Sequence, residues 1–144
     1  MDQIKFHTDR LRTSGLRPTK QRLAICKILF DRKETFHFTI EKLQQIAQRG
    51  SKKKISLATL YNTVHAFKEM GYLKEISLKG NRTFFDTNTK NHHHFYDEDS
   101  SQLIDIKNKK FSISNLPSAP NGKKIKDIEI IIRVANNNQK QKNN

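Results

Sequence analysis

The chain has 144 residues, with 28 Lys and Arg against 14 Asp and Glu, which gives a formal net charge of +14. This length suits one ordinary domain or two small ones that depend on a partner. The positive charge favours a polyanion, either nucleic acid or an anionic membrane surface. No apolar run reaches transmembrane length and the polar N-terminus does not resemble a signal peptide, so we expect a cytoplasmic protein. A single cysteine, Cys26, excludes an internal disulfide and a multi-thiolate zinc site.

Helical spacing of apolar residues predicts three helices in the first half of the chain, over residues 2–13, 18–30 and 39–50. In the first, Ile4 and Leu11 are expected on the inner side. Pro18 is placed where the second helix can start, and Thr39 is the expected cap of the third. Residues 32–38 are interpreted as a connector, and residues 51–54 as a basic loop.

A fourth helix is predicted over residues 55–70, between the expected N-cap Ser56 and Gly71. Its apolar stripe consists of Leu57, Leu60, Val64 and Phe67. The opposite face carries short or flat polar groups: Thr59, Tyr61, Asn62 and His65. An apolar back, a hydrogen-bonding front and a basic entry suit a helix that lies in a DNA major groove.

After Gly71 the pattern changes from helical to alternating, which predicts a β-hairpin over residues 73–86 with its turn at Gly80 and Asn81. Helices followed by such a hairpin are typical of a winged helix, in which the hairpin contacts the DNA backbone. Arg82 places positive charge on this hairpin.

The remaining chain predicts a small second domain. Residues 88–91 form a polar hinge, and strands are expected over 92–96, 102–106 and 125–134, with at most one helical turn in the proline-containing segment 114–122. The domain boundaries are therefore 1–87, 88–91, 92–135 and a low-complexity, disordered tail at 136–144. Because about 40 residues bury too small a core alone, the second domain is expected to pair with a copy of itself.

A histidine triplet, His92 to His94, begins the second domain. On a strand His92 and His94 share a face while His93 points away. Asp86, Asp105 and His37 are further candidate ligands. Imidazoles with carboxylates suit Zn(II), Mn(II) or Fe(II), and an imidazole can also ligate haem iron. A solvated histidine run on an exposed strand is the alternative interpretation.

These motifs together resemble the ferric uptake regulator family over about residues 11–134. The resemblance rests on five features: Gly-Leu-Arg-Pro-Thr-x-Gln-Arg-Leu at 15–23, His-x-Thr-x-Glu at 37–41, Ser-Leu-Ala-Thr-Leu-Tyr-Asn-Thr-Val at 56–64, the wing that ends at Asp86, and the histidine triplet. Within the family the chain is most similar to the iron response regulator branch, in Tyr-Asn-Thr at 61–63, Phe-Phe-Asp-Thr-Asn-Thr at 84–89, His-His-His-Phe at 92–95 and Leu-Pro-x-x-Pro-x-Gly at 116–122.

The resemblance implies an α+β fold, with an N-terminal winged helix-turn-helix and a small α/β dimerisation domain. It implies a homodimer that binds operator DNA and controls iron uptake and haem metabolism genes, and it implies no enzymatic activity. The predicted DNA-contacting residues are Arg17, Lys20, Arg22, Lys54, Ser56, Thr59, Tyr61, Asn62 and Arg82. The predicted hinge metal ligands, for Fe, Mn or Zn, are His37, Asp86, His92, His94 and Asp105.

The chain also departs from the family pattern. Asp97 and Ser100 stand near the positions of a Cys-x-x-Cys pair that holds structural zinc in many members. Ile128 stands where a second metal site uses histidine, so that site is expected to be lost. Without an N-terminal Cys-Pro motif, His92, His93 and His94 are the haem candidates.

Two other functions would use the same features. A metal-dependent hydrolase could use the histidine and aspartate cluster, but it would need an open coordination position and a general base. A basic RNA-binding accessory protein would need aromatic side chains exposed on a sheet for base stacking, and Phe84, Phe85 and Phe95 are the candidates.

Overall fold

The structure is a computed structural model that describes residues 2–50, 54–107 and 112–138. It divides into an N-terminal unit, Met1–Thr89, and a C-terminal unit, Lys90–Asn144. The first contains four helices and a small sheet, and the second contains a sheet, so the predicted α+β class is confirmed. Residues 51–53 of the predicted basic loop and residues 139–144 of the predicted tail lie outside the described residues.

Four helices form most of the N-terminal unit: α1 (Gln3–Thr13), α2 (Lys20–Phe30), α3 (Ile40–Arg49) and α4 (Leu57–Glu69). Each begins after a polar residue whose side chain accepts a hydrogen bond from a backbone N–H of the first turn, namely Asp2, Thr19, Thr39 and Ser56. These bonds satisfy amide groups that have no partner within the helix. Gly71, just past α4, has a φ of +77°, a conformation that glycine adopts without steric cost.

One hydrophobic core joins the four helices. It contains Leu11, Ile25, Cys26, Leu29, Phe38, Ile40, Leu43, Ala47, Ile55, Leu60, Val64, Phe67, Leu73 and Phe85. The predicted inner face of α4 is therefore confirmed for Leu60, Val64 and Phe67. Thr63 is buried beside them, and its hydroxyl donates to the Thr59 carbonyl at 2.7 Å, which satisfies the polar group.

Two apolar residues predicted to face inward are instead exposed. Ile4 is 56 % exposed, because only the later turns of α1 reach the core, through His7 and Leu11. Leu57 is 45 % exposed. It lies in the first turn of α4, four residues before Tyr61, so these two side chains share the outer face of the helix.

A three-stranded antiparallel sheet completes the N-terminal unit, with the order β1 (His37–Phe38), β3 (Arg82–Asp86), β2 (Lys74–Leu78). Strands β2 and β3 form the predicted hairpin, which we call the wing. Gly80 and Asn81 lie in the three-residue loop between the paired Leu78 and Arg82, and they have φ values of +83° and +59°, a left-handed conformation that glycine and asparagine adopt most readily. The connector predicted over 32–38 is wrong at β1, since a two-residue strand is too short to produce an alternating pattern.

The C-terminal unit is a three-stranded sheet in the order β5 (Gln102–Ile106), β4 (His93–Asp97), β6 (Ile131–Val134). Strand β4 is antiparallel to β5 and parallel to β6. The described residues of this unit contain no α-helix, including the segment 114–122. The strand predicted over 125–134 is wrong before Ile131, because only its last four residues pair with β4.

The C-terminal unit leaves several large apolar side chains exposed: Ile104, Ile113, Leu116, Ile125 and Ile132. Ile104 and Ile132 occupy the two strands that flank β4, and both lie opposite Phe95 in the register. A sheet that exposes isoleucine in this way retains apolar surface that a partner could cover. Among the described residues, no helix has the length and apolar character needed to cross a membrane.

Candidate metal centre and nucleic-acid interface

The outer face of α4, which we call the recognition face, carries Leu57, Tyr61, Asn62 and His65, all exposed. Tyr61 is 40 % exposed. At the start of the helix Ser56 accepts from the Thr59 amide at 3.1 Å, and the hydroxyls of these two residues are 2.9 Å apart. The exposed face of α4 is therefore mostly polar, while its opposite face packs in the core.

Basic residues at the start of α2 lie next to the start of α4. Lys20, Arg22 and Thr59 line one surface concavity together with Thr19 and Gln21. Arg22 Nη1 donates to the Arg17 carbonyl at 3.0 Å, which holds the loop before α2. Lys54 is exposed before α4, and Arg82 is exposed at the tip of the wing. Every predicted DNA-contacting residue thus lies in the N-terminal unit and is exposed or partly exposed.

An ion pair connects the end of α4 to the wing. Lys68 Nζ contacts the carboxylate of Glu75 on β2, and the hydrogen bond to Glu75 raises the pKa of Lys68. The pair joins α4 to β2 at the surface of the unit.

One ligand pair lies in the N-terminal unit. His37 and Asp86 are directly opposite in the antiparallel pairing of β1 and β3, and His37 Nε2 is 3.1 Å from Asp86 Oδ2. Asp86 is fully buried, and its Oδ1 accepts from the Asn88 amide at 2.8 Å. The short strand β1, which the sequence pattern did not indicate, is what places His37 against this carboxylate.

A second ligand group lies in the C-terminal unit. His92 and His94 are separated by 4.4 Å between ring centroids, and each Nε2 is 3.2 Å from Asp105 Oδ1. His94 is opposite Asp105 in the pairing of β4 and β5. The Lys90 carbonyl, 2.6 Å from His92 Nδ1, orients the His92 ring. The predicted convergence of His92 and His94 is therefore observed, with Asp105 beside both.

The chemistry of these donor atoms fits a divalent metal ion. The ligand atoms of His92, His94 and Asp105 all lie within 4.8 Å of one another. Two imidazole nitrogens and a carboxylate oxygen suit Mn(II), Fe(II) or Zn(II). A hydrogen bond from the other ring nitrogen, as at His92, is the usual way in which a metal-binding imidazole is oriented.

His93 faces away from this ligand group. Its Nδ1 accepts from the Ile130 amide at 3.2 Å, so it helps to hold the segment before β6. Among the three haem candidates, His92 and His94 contact Asp105, and His93 contacts the backbone.

The β4–β5 turn, where the family pattern has a Cys-x-x-Cys pair, is held by hydrogen bonds. Asp97 Oδ1 accepts from the amides of Asp99 and Ser100, and Ser100 Oγ donates to Asp97 Oδ2 at 2.7 Å. The bond from Ser100 lowers the pKa of the Asp97 carboxyl. Ile128, which stands where a second metal site would use histidine, is half-buried and offers no ligand atom.

Sequence reasoning missed two features of the recognition face. The predicted apolar stripe places Leu57 in the core, although its spacing of four residues from Tyr61 indicates the exposed face equally well. The ring contacts of His65 were also missed. It stacks on Tyr61 at 5.9 Å and meets Phe85 of β3 edge-to-face at 6.0 Å. Contacts between a helix and a later strand leave no local signal in the sequence.

The four helices, one of them with a polar exposed face, and the wing define a winged-helix protein, followed here by a small sheet unit whose imidazoles and carboxylate suit a metal ion. The chain belongs to the Ferric uptake regulator family, whose sequence model matches residues 13–133. This confirms the family that the motifs indicated.

Curated relatives include the Peroxide-responsive repressor PerR of Staphylococcus aureus strain Mu50, which is 35% identical over 96 residues, or 67% of this chain. The match covers 63% of that relative's length. The repressor of the same name from strain USA300 matches with the same identity and coverage.

Solved structures support the fold. The ferric uptake regulator of Pseudomonas aeruginosa with manganese has a TM-score of 0.65 at 18% identity, covering 90% of this chain and 97% of that chain. The Vibrio cholerae ferric uptake regulator has a TM-score of 0.64 at 20% identity, covering 89% and 98%. Similarity at this level of identity concerns the fold alone.

Proposed function

We propose that the protein is a metal-responsive transcription regulator that binds operator DNA, rather than an enzyme. The observation that carries this proposal is α4, which is fixed in the core by Leu60, Val64 and Phe67 and leaves Tyr61 and Asn62 exposed. A helix of 13 residues with such a face fits the DNA major groove. The net charge of +14 supplies attraction to phosphate.

The predicted contacts fall into two classes. Thr59, Tyr61 and Asn62 would face base edges, where hydroxyl, ring and amide groups discriminate among bases. The other class would contact phosphates or a narrow minor groove and consists of Arg17, Lys20, Arg22, Lys54, Ser56 and Arg82. The test is selection of duplexes from a random library by the Mn(II)-loaded protein. Enrichment of one motif supports the proposal, and recovery of unselected sequence contradicts it.

We further propose that His37 and Asp86, together with His92, His94 and Asp105, bind one divalent ion, as the family resemblance implies. Each group already pairs imidazole with carboxylate, at 3.1 Å in the N-terminal unit and 3.2 Å in the C-terminal unit. A bound ion would place its positive charge beside the aspartates, and contacts to the ion would replace these histidine–aspartate contacts. It would tie the wing end to the first strand of the second unit and so favour DNA binding.

Titration with Co(II) tests this ligand set by optical absorption. The parent should give the visible bands of a low-symmetry nitrogen and oxygen site, and His37→Ala and Asp105→Ala should each change band position and weaken affinity. If Asp105→Ala alone alters the spectrum, the ion is bound by the C-terminal unit only. His7→Ala is the matched control, because His7 contacts Asp31 at 2.8 Å and belongs to neither ligand group.

The proposed regulator acts as a homodimer through the C-terminal unit. Ile104 and Ile132 are 47 % and 37 % exposed, and covering them would remove apolar surface from water. Ile132→Asp should shift sedimentation from dimer to monomer. The control is Ile4→Asp, an exposed isoleucine of α1 in the other unit, which should leave the dimer intact.

The iron response branch, with control of iron uptake and haem metabolism genes by iron or haem, stays a finer prediction. It rests on the residue resemblance at 61–63, 84–89, 92–95 and 116–122. Haem titration followed by its Soret band would test it, comparing the parent with His93→Ala and with the double variant His92→Ala and His94→Ala. Specific haem binding that survives in both variants would place the haem site elsewhere.

A peroxide response is a second candidate, favoured by the 35% identical relatives that are named as peroxide-responsive repressors. The comparison that tests it uses Fe(II) and Mn(II), because Fe(II) is oxidised by hydrogen peroxide and Mn(II) reacts far less. Peroxide should release DNA from the Fe(II)-loaded protein only. Equal release in both forms, or none in either, would contradict a peroxide response through the metal.

A further inference from the structure

We propose that His65 is a positioning residue for Tyr61, holding the tyrosine ring in the orientation in which it meets DNA. The inference rests on the proposed function, because it concerns how the recognition face is prepared for binding. It is carried by the ring contacts of His65 on both sides.

The first contact is with Tyr61 itself. The two residues are four positions apart on α4 and therefore neighbours on one face. Their rings are nearly parallel, with an interplanar angle of 13° and a centroid distance of 5.9 Å. This distance lies within the range of offset stacking. Tyr61 is 40 % exposed, and the stack on His65 is a ring contact that favours one orientation of the tyrosine.

The second contact fixes His65. Its ring meets Phe85 of β3 at 6.0 Å with an interplanar angle of 87°. Phe85 is only 2 % exposed, and it stacks on Phe38 of β1 at 5.7 Å. His65 thus connects the exposed ring of Tyr61 to the rings of Phe85 and Phe38 in the hydrophobic core. A smaller residue at 65 would leave Tyr61 without this support.

Preorganisation should appear as DNA affinity. Loss of the ring pair that holds Tyr61 in one orientation should weaken binding by about 2- to 13-fold, the range expected from the energy of an aromatic pair. The probe is a duplex selected from a random library by the Mn(II)-loaded parent, and the reference is a scrambled duplex of equal composition. His65→Ala should weaken binding to the selected duplex and leave the scrambled duplex unchanged.

Two comparisons separate positioning from a direct DNA contact by His65. His65→Phe keeps a flat ring but removes the imidazole nitrogens, so a positioning role predicts that affinity is largely restored. In a double-mutant cycle, His65→Ala should have little further effect once Tyr61 is already alanine. Thermal unfolding of His65→Ala monitors the fold, and a change in specific affinity at unchanged melting temperature meets the expectation.

The outcomes are distinct. A parent that selects no duplex overturns the proposed function and this inference with it. A parent that selects a duplex, with His65→Ala binding it equally well, overturns only the positioning role. Additive losses in the cycle, or a loss in His65→Phe as large as in His65→Ala, would assign His65 a direct DNA contact instead.

Discussion

Two leucines of α4, three residues apart, should differ greatly in how much their truncation reduces the free energy of unfolding. Leu60 is fully buried and Leu57 is 45 % exposed. Leu60→Ala removes buried methyl groups and leaves a cavity, which should destabilise the N-terminal unit by about 2–5 kcal/mol. Leu57→Ala should stay within about 0.5 kcal/mol of the parent, because the side chain contributes little to the core and alanine is an equally good helix former.

Urea unfolding of the full chain, followed by far-UV circular dichroism, measures both effects. Every α-helix of the described residues lies in the N-terminal unit, so the helical signal reports on that unit. With a urea m-value of about 1.5 kcal/mol/M, the midpoint of Leu60→Ala should fall by about 1–3 M. Leu60→Met, which nearly conserves volume, should cost less than about 1.5 kcal/mol and keeps the comparison measurable if the alanine variant is unfolded.

The pair also reports on function, because Leu57 shares the recognition face with Tyr61. Leu57→Ala should weaken binding to a selected duplex while leaving stability unchanged. A larger stability loss in Leu57→Ala than in Leu60→Ala would mean that α4 is rotated relative to the core and that its exposed face has been misassigned.

Three further predictions concern single groups. Ser100→Ala should raise the pKa of Asp97, measured by a carbon-13 NMR titration, and an unchanged pKa would contradict this prediction. Because the folded-state pKa of Asp97 is lowered, the stabilisation from this hydrogen bond is present above the ordinary carboxyl pKa of about 4. It is lost as the pH falls through the folded-state pKa. Burial raises the pKa of Cys26 to about 12, so alkylation at neutral pH should be slow in the folded chain and fast in urea, and rapid alkylation of the folded chain would refute the burial. Tyr61→Ala should reduce the binding free energy by about 1–3 kcal/mol on a selected duplex only. Arg17→Ala should weaken binding to all duplexes, and the slope of log K against log salt concentration should become shallower by about one. Equal binding by both variants and the parent would refute the recognition assignment.

Local chemistry explains which parts of the fold could be predicted. The caps Thr39 and Ser56 and the spacing of Leu60, Val64 and Phe67 act within one helix, so the sequence alone indicates α3 and α4. The same holds for the wing, where Gly80 and Asn81 adopt the positive φ values that a tight hairpin turn needs. These elements were predicted closely.

Contacts between segments that are far apart in the chain could not be predicted from the local sequence pattern. Strand β1 exists because His37 and Phe38 pair with Asp86 and Phe85, almost fifty residues later in the chain. Strand β6 is limited to Ile131–Val134 by its pairing with β4, although apolar alternation begins earlier. The convergence of His92 and His94 was predictable from strand geometry, whereas the position of Asp105 beside them depends on the register of β4 and β5.

We propose that metal bound by these histidines and aspartates controls DNA binding. The most direct test is fluorescence anisotropy of a labelled selected duplex with apo and Mn(II)-loaded protein, using the parent and the double variant His92→Ala and His94→Ala. Mn(II) should tighten binding by the parent by about tenfold or more, a coupling typical of regulatory proteins. The double variant should bind with the affinity of the apo parent whether or not Mn(II) is present. Equal tightening by Mn(II) in the parent and the double variant would show that metal bound by His92 and His94 does not control DNA binding.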